Sequence, residues 1–180
     1  MDRIVLIGFM ASGKSTVGRK LAELLGWRFL DFDEEIERRT GRSVPQIFQE
    51  SGEPEFRRLE AALTAEVAAL DRLVLAPGGG WITQPGLRAL LPSGSLLVWL
   101  RISAAEAVRR ARRAPTHRPL LAGPDPLGLA QALLREREPF YRLAHAVVDV
   151  DGRDPDEIAR QIVEMVKDEW RSGRSAARGW

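Results

Sequence analysis

The chain has 180 residues, 44% hydrophobic and 29% charged, with a formal net charge of +2 and no cysteine. That length suits one domain with a full core, no apolar stretch nears the ~20 residues of a membrane span, and the lack of cysteine excludes disulfides, thiolate metal sites and a thiol nucleophile. Three arginines, Arg171, Arg174 and Arg178, lie in the last ten residues, and the remaining basic cluster suits a small polyanion as well as a nucleic-acid backbone.

In chain order, Ile4–Ile7 is an apolar run that reads as a buried strand. Directly behind it, residues 8–15 read GFMASGKS, the pattern G-x-x-x-x-G-K-[ST]. Gly8 and Gly13 allow a tight turn whose N–H groups face a polyphosphate, with Ala11, Ser12 and Thr16 in the same cradle. Lys14 can reach the β and γ phosphates, and the Ser15 hydroxyl can join a Mg²⁺ shell. A helix is expected over Lys14–Leu25, stopped at Gly26, and a second strand over Arg28–Leu30, ending at Asp31.

Asp31 and Asp33 would face the same side if the strand geometry continued, one for the metal shell and one for an acceptor hydroxyl; as N-terminal caps of a helix at Glu34–Arg39 they would serve structure instead. Phe56, Leu59, Leu63, Val67 and Leu70 recur at helical spacing before a third strand, Leu73–Ala76. That strand runs into Gly78-Gly79-Gly80 with no Walker B carboxylate after it, and Trp81 follows, held near the acceptor pocket. Leu96–Leu100 is a fourth strand, and Ser103-Ala-Ala-Glu106 is a capping-box sequence that opens the helix carrying Arg109 and Arg110. Four prolines between Ala114 and Pro126 predict a long loop, a lid spanning about 112–126 with Arg118 over the phosphates. Ala146–Val150 is a fifth strand, and Asp154-Pro155 opens a last helix. Residues 171–180 are polar and aperiodic and read as a tail behind a single domain over 1–170. Strands alternating with helices predict an α/β fold with a parallel sheet flanked by helices.

The set GFMASGKST, Asp31-Phe-Asp33, Glu55-Phe-Arg57-Arg58-Leu-Glu60, Gly78-Gly79-Gly80, Arg118-Pro-Leu-Leu and Arg137-Glu-Pro-Phe-Tyr141 closely resembles shikimate kinase, over residues 3 to 168. The resemblance implies a three-layer P-loop kinase fold whose five-stranded parallel sheet has the order 2-3-1-4-5, with a flexible lid. It also implies transfer of the ATP γ-phosphoryl group to the 3-hydroxyl of shikimate, a step toward aromatic amino acids, with Mg²⁺ as cofactor. By the same resemblance Asp33 contacts the ring hydroxyls and Asp31 supports Mg²⁺ through water. Arg57 and Arg137 bind the substrate carboxylate, and Gly78, Gly79 and Gly80 line its site. Arg118 reaches the phosphates, Arg110 packs on adenine, and Pro155 borders the base. Lys14, Asp33 and Arg118 would be the catalytic set. The protein is then expected to be cytoplasmic and monomeric, acting on ATP and shikimate without nucleic acid or membrane. Ala11 stands where many members have glycine, a change expected to matter little provided that its backbone angle stays negative. Other small-molecule kinases of the fold, acting on gluconate or a nucleoside monophosphate, and a non-catalytic ATP-binding regulator are the alternatives. The first lack a reason for the Arg57, Arg137 and triple-glycine set.

Overall fold

The computed structural model describes residues 3–113 and 124–171. Most of the expected lid, including Arg118, and the tail from residue 172 lie outside them.

The elements follow one another as β1 (Arg3–Ile7), α1 (Lys14–Leu25), β2 (Arg28–Asp31), α2 (Phe32–Thr40), α3 (Val44–Val67), β3 (Leu73–Ala76), β4 (Leu96–Arg101), α4 (Ala104–Arg113), α5 (Pro126–Tyr141), β5 (Ala146–Asp149) and α6 (Pro155–Arg171), with two short 3-10 turns between β3 and β4. All strand pairs are parallel, in the order β2-β3-β1-β4-β5. β1 is buried along its whole length and β3 likewise, whereas the edge strands β2 and β5 expose Arg28 and Val147. Such inner strands read as unbroken apolar runs because helices cover the sheet. Here α1 packs with α6 and against β1, β2 and β3, and α4 packs with α5.

Local chemistry sets the helix limits. Asp31 is the N-cap of α2, its carboxylate accepting the backbone N–H of Asp33 at 3.0 Å and of Glu34 at 3.3 Å, and Gly41 ends the helix in the left-handed region. The cap is therefore Asp31, which leaves Asp33 free of that duty. Helix α3 opens with a capping box between Ser43 and Gln46 and is kinked at Gly52, where φ is 77° and ψ 172°, ahead of Pro54. The periodic stretch from Phe56 is its second half, but the helix stops at Val67, so Leu70 falls beyond it. Helix α5 is not among the expected elements, since Pro126 and Pro139 mask its pattern; Pro126 occupies the permissive first turn, behind the Asp125 cap. The capping box at α4 is only half made. Ser103 Oγ accepts the Glu106 N–H, but the Ser103 N–H is taken by Asp151 from the β5–α6 loop, and the Glu106 side chain turns to Arg109 and Arg110.

Candidate active site

The turn from β1 into α1 has the conformation that its glycines permit. A Cβ on Gly8 would lie 2.6 Å from the Leu100 carbonyl oxygen and 2.9 Å from Ser12 Oγ, so only glycine fits. Ala11, contrary to expectation, has a positive φ of 63°. The turn here is closed by the Ser12 N–H on the Phe9 carbonyl oxygen at 3.2 Å, and the buried alanine accepts a left-handed conformation that costs roughly 1–2 kcal/mol. Lys14 Nζ lies 2.9 Å from the Gly8 carbonyl oxygen and 3.2 Å from that of Phe9, above the anion cradle.

The P-loop contributes to two cavities. One, of about 490 Å³, is lined by Ala11–Gly13, Thr16, Arg110 and Pro155. In it Arg110 donates to the Ala11 carbonyl oxygen at 3.3 Å and to that of Val150 at 2.6 Å. The other, of about 770 Å³, brings together Ser15, Asp31, Asp33, Arg57, Arg137 and the three glycines. The structure thus assembles Gly8, Ala11, Ser12, Gly13, Lys14, Ser15, Thr16, Arg110 and Pro155 around the P-loop, and the second set on one wall beyond Ser15.

Each glycine of the triplet is shaped by its neighbour. Built Cβ atoms would lie 3.0 Å from Glu60 Oε1 and 3.4 Å from Asp33 Oδ1 at Gly78, 3.3 Å from the Gly8 carbonyl oxygen and 3.5 Å from an Arg137 nitrogen at Gly79, and 2.7 Å from an Arg57 nitrogen at Gly80. Tyr141 fixes this turn by donating to the Gly79 carbonyl oxygen at 2.8 Å; burial pushes the phenol up to about 12, against the pull of the Arg137 charge. Trp81 is not on the cavity wall. It is 1% exposed, behind the glycine turn, with its indole N–H on Thr64 Oγ1 at 2.9 Å.

The electrostatics are set by burial. Asp33 Oδ1 is buried and has no hydrogen-bond partner among the described residues. Desolvation first, then the Asp31 charge, push its pKa up to about 6 against the pull of Lys14. Glu60 is fully buried; desolvation pushes it up to about 7 although Arg57 favours its charged form. One Glu60 oxygen takes Arg57 at 2.6 Å and the other has no partner among the described residues. Glu53, with 58% of its side chain exposed, holds the remaining edge of Arg57 at 2.9 and 3.1 Å. Arg57 thus lies between two carboxylates, one buried and one at the surface.

For the metal, the Ser15 hydroxyl donates to Asp31 Oδ2, while Asp31 Oδ1 serves the helix cap. No group of three or more His, Asp or Glu among the described residues is arranged as a metal cage. One hydroxyl and one carboxylate at the phosphate cradle fit Mg²⁺, which keeps several waters and takes the rest of its shell from substrate phosphates.

The sequence gives Glu53 and Glu60 no partner, and it gives Glu106 only a place in a capping box. Their spacing from Arg57 and Arg110, i−4, i+3 and i−4, was the available signal; which arginine each would hold depended on burial.

A family model described as shikimate kinase matches residues 10–167. The shikimate kinase of Mycobacterium avium is 49% identical over 91% of this chain and 93% of its own length, and that of Halorhodospira halophila 46% over 92% and 94%. Among solved structures, the shikimate kinase of Acinetobacter baumannii in complex with shikimate superposes with a TM-score of 0.87 at 38% identity, covering 94% of each chain. A gluconokinase from Sinorhizobium meliloti, 22% identical with a TM-score of 0.60 over 95% of this chain and 97% of its own, shares the fold alone. With a family model across most of its length and relatives approaching half identity, this chain belongs to the shikimate kinase family.

Proposed function

We propose that the protein transfers the γ-phosphoryl group of ATP to the 3-hydroxyl of shikimate. The observation that carries this reading is the joint placement of Arg57, Arg137 and the unpartnered Asp33 carboxylate on one cavity that also reaches the P-loop Ser15. Two guanidinium groups suit a carboxylate, which a neutral polyol lacks. The Asp33 oxygen, with a pKa near 6, is ionised at neutral pH and short of a donor. A ring hydroxyl supplies one.

Phosphoryl transfer asks mainly for positioning and charge neutralisation. The triphosphate lies on the P-loop N–H groups, with Lys14 leaving the Gly8 and Phe9 carbonyls for the β and γ phosphates. By the family resemblance Arg118, which lies outside the described residues, would add a further positive charge to them. Arg110 and Pro155 bound the adenine. Substrate binding replaces Glu53 on Arg57 by the shikimate carboxylate, with Arg137 as the second arm, while the close backbone at Gly79 and Gly80 lets the ring approach. Asp33 orients the 3-hydroxyl and accepts its proton as the O–P bond forms. Ser15 and, through water, Asp31 would hold Mg²⁺, which when bound neutralises the charge of the β and γ phosphates. An ADP-release assay with shikimate, gluconate and AMP tests the proposal. Turnover that requires both shikimate and Mg²⁺ is expected, and equal turnover with gluconate or AMP overturns it.

A further inference from the structure

Glu106 opens the stripe 106, 109, 110, 113 that α4 turns toward the smaller cavity. Its side chain is 11% exposed, and the capping role that its sequence position suggests is filled on the backbone side by Asp151. Both carboxylate oxygens are given instead to arginines. Oε1 accepts from Arg110 Nε and from Arg109 at 2.6 Å each, and Oε2 accepts from Arg109 Nε at 2.6 Å. These bonds hold the carboxyl well below the ordinary range, down to about 2, so it stays charged at any working pH.

The consequence falls on Arg110. Its Nε is on Glu106, one terminal nitrogen on the P-loop carbonyl of Ala11 and the other on the carbonyl of Val150 at the end of β5. Three separate elements thus engage the edge of one planar guanidinium, and what remains available to the cavity is its flat face. Such a face attracts a π-system. A carbonyl on each terminal nitrogen sets how far the group reaches. The bond at Nε, on the side of the helix, sets how its plane is tilted, and Glu106 is its sole charged partner there among the described residues.

We propose that Glu106 is a positioning residue for the nucleotide base: it fixes the plane of the Arg110 guanidinium so that a purine stacks on it between α4 and the Pro155 loop. This rests on the reading of the smaller cavity as the ATP site. Glu106→Gln keeps the size of the side chain but removes the charge and sets an amide N–H₂ against arginine donors, so the plane of Arg110 is released.

The test is direct calorimetric titration of ADP and of inorganic tripolyphosphate, which has no base, into the wild type, Glu106→Gln, Arg110→Ala and the double variant. ADP affinity is expected to fall about tenfold in Glu106→Gln, the scale of a guanidinium stacked on a ring. Tripolyphosphate affinity should hold or rise, because a negative charge has left the cavity. In the Arg110→Ala background the same change should cost ADP less than twofold. Equal losses for both ligands, an unchanged ADP affinity, or a full further loss on top of Arg110→Ala overturns the inference. A wild type that binds ADP no better than tripolyphosphate overturns the reading of the cavity itself, and the two failures are distinct.

Discussion

Asp33→Asn should make the resting protein more stable and the enzyme inactive, and the gain should depend on pH in a defined way. The Asp33 pKa stands at about 6 against an ordinary 3.8. At about 1.36 kcal/mol per unit, ionising this group inside the fold costs about 3 kcal/mol. The shift already includes the partial opening of Asp33 to the cavity, so about 3 kcal/mol is the expected figure. Because the folded-state value is raised, the folded protein binds more protons than the unfolded chain between pH 4 and pH 6. The stability associated with neutral Asp33 is therefore complete below pH 4 and lost as the pH rises through 6. The asparagine variant has no such loss. Urea unfolding of both proteins from pH 4 to 7.5, followed by circular dichroism, should give a difference near zero at pH 4 that grows to about 3 kcal/mol in favour of the variant and levels off above pH 6.5. Opposite-sign contributions from Glu35 and Glu106, both held down to about 2 by arginines, cancel in that difference. The same ionisation governs catalysis, so wild-type kcat should fall as the pH drops through about 6, and the variant should lose at least ~10² in kcat with general-base function gone. A stability gain that is flat with pH would mean altered packing instead of relieved charge, and no gain at pH 7 would mean that Asp33 is solvated in the resting protein.

Two further outcomes concern the surroundings of Arg57 and a third the P-loop. Gly80 has an ordinary right-handed backbone (φ −95°, ψ −3°), so Gly80→Ala should fold normally, yet its Cβ at 2.7 Å must push Arg57 aside; shikimate KM should rise about tenfold, the scale of one charge-assisted bond, and the same substitution in an Arg57→Ala background should add almost nothing. Glu53→Gln removes the surface carboxylate that occupies Arg57 before substrate arrives, and because exposed pairs are worth about 0.2–1 kcal/mol, shikimate KM should fall about two- to fivefold; a rise in a shikimate titration would show that Glu53 orients Arg57 instead of competing for it. Lys14→Met should lower kcat by ~10² or more with a native circular dichroism spectrum, and activity within threefold of wild type in the coupled assay would remove Lys14 from phosphate binding.

The P-loop, the five strands and the limits of α1 were legible in the chain because each is encoded locally, by a short apolar run, a glycine at an obligatory turn or a helix stop. The resemblance, in turn, carried the strand order, which no local pattern contains. What remained for the tertiary structure was every property that depends on a neighbour remote in sequence. Asp31 and Asp33 look equivalent as two carboxylates, and only the direction in which α2 leaves the sheet makes one the cap beside Ser15 and the other a buried oxygen at Gly78. Ala11 takes a positive φ in the turn that the Ser12 N–H closes on Phe9, a conformation invisible in residue type. Its position after the glycine triplet puts Trp81 near the acceptor pocket, yet the indole N–H finds a buried partner in Thr64 on α3 and the ring lies inside. Arg57 and Glu60 are ordinary helix neighbours by spacing, and burial is what turns their pair into a fixed guanidinium with an oxygen behind it that has no partner among the described residues. Local sequence sets the available conformations and charges; desolvation and close approach, which exist only once the sheet and α3 are packed, decide which of those charges are held ready for chemistry.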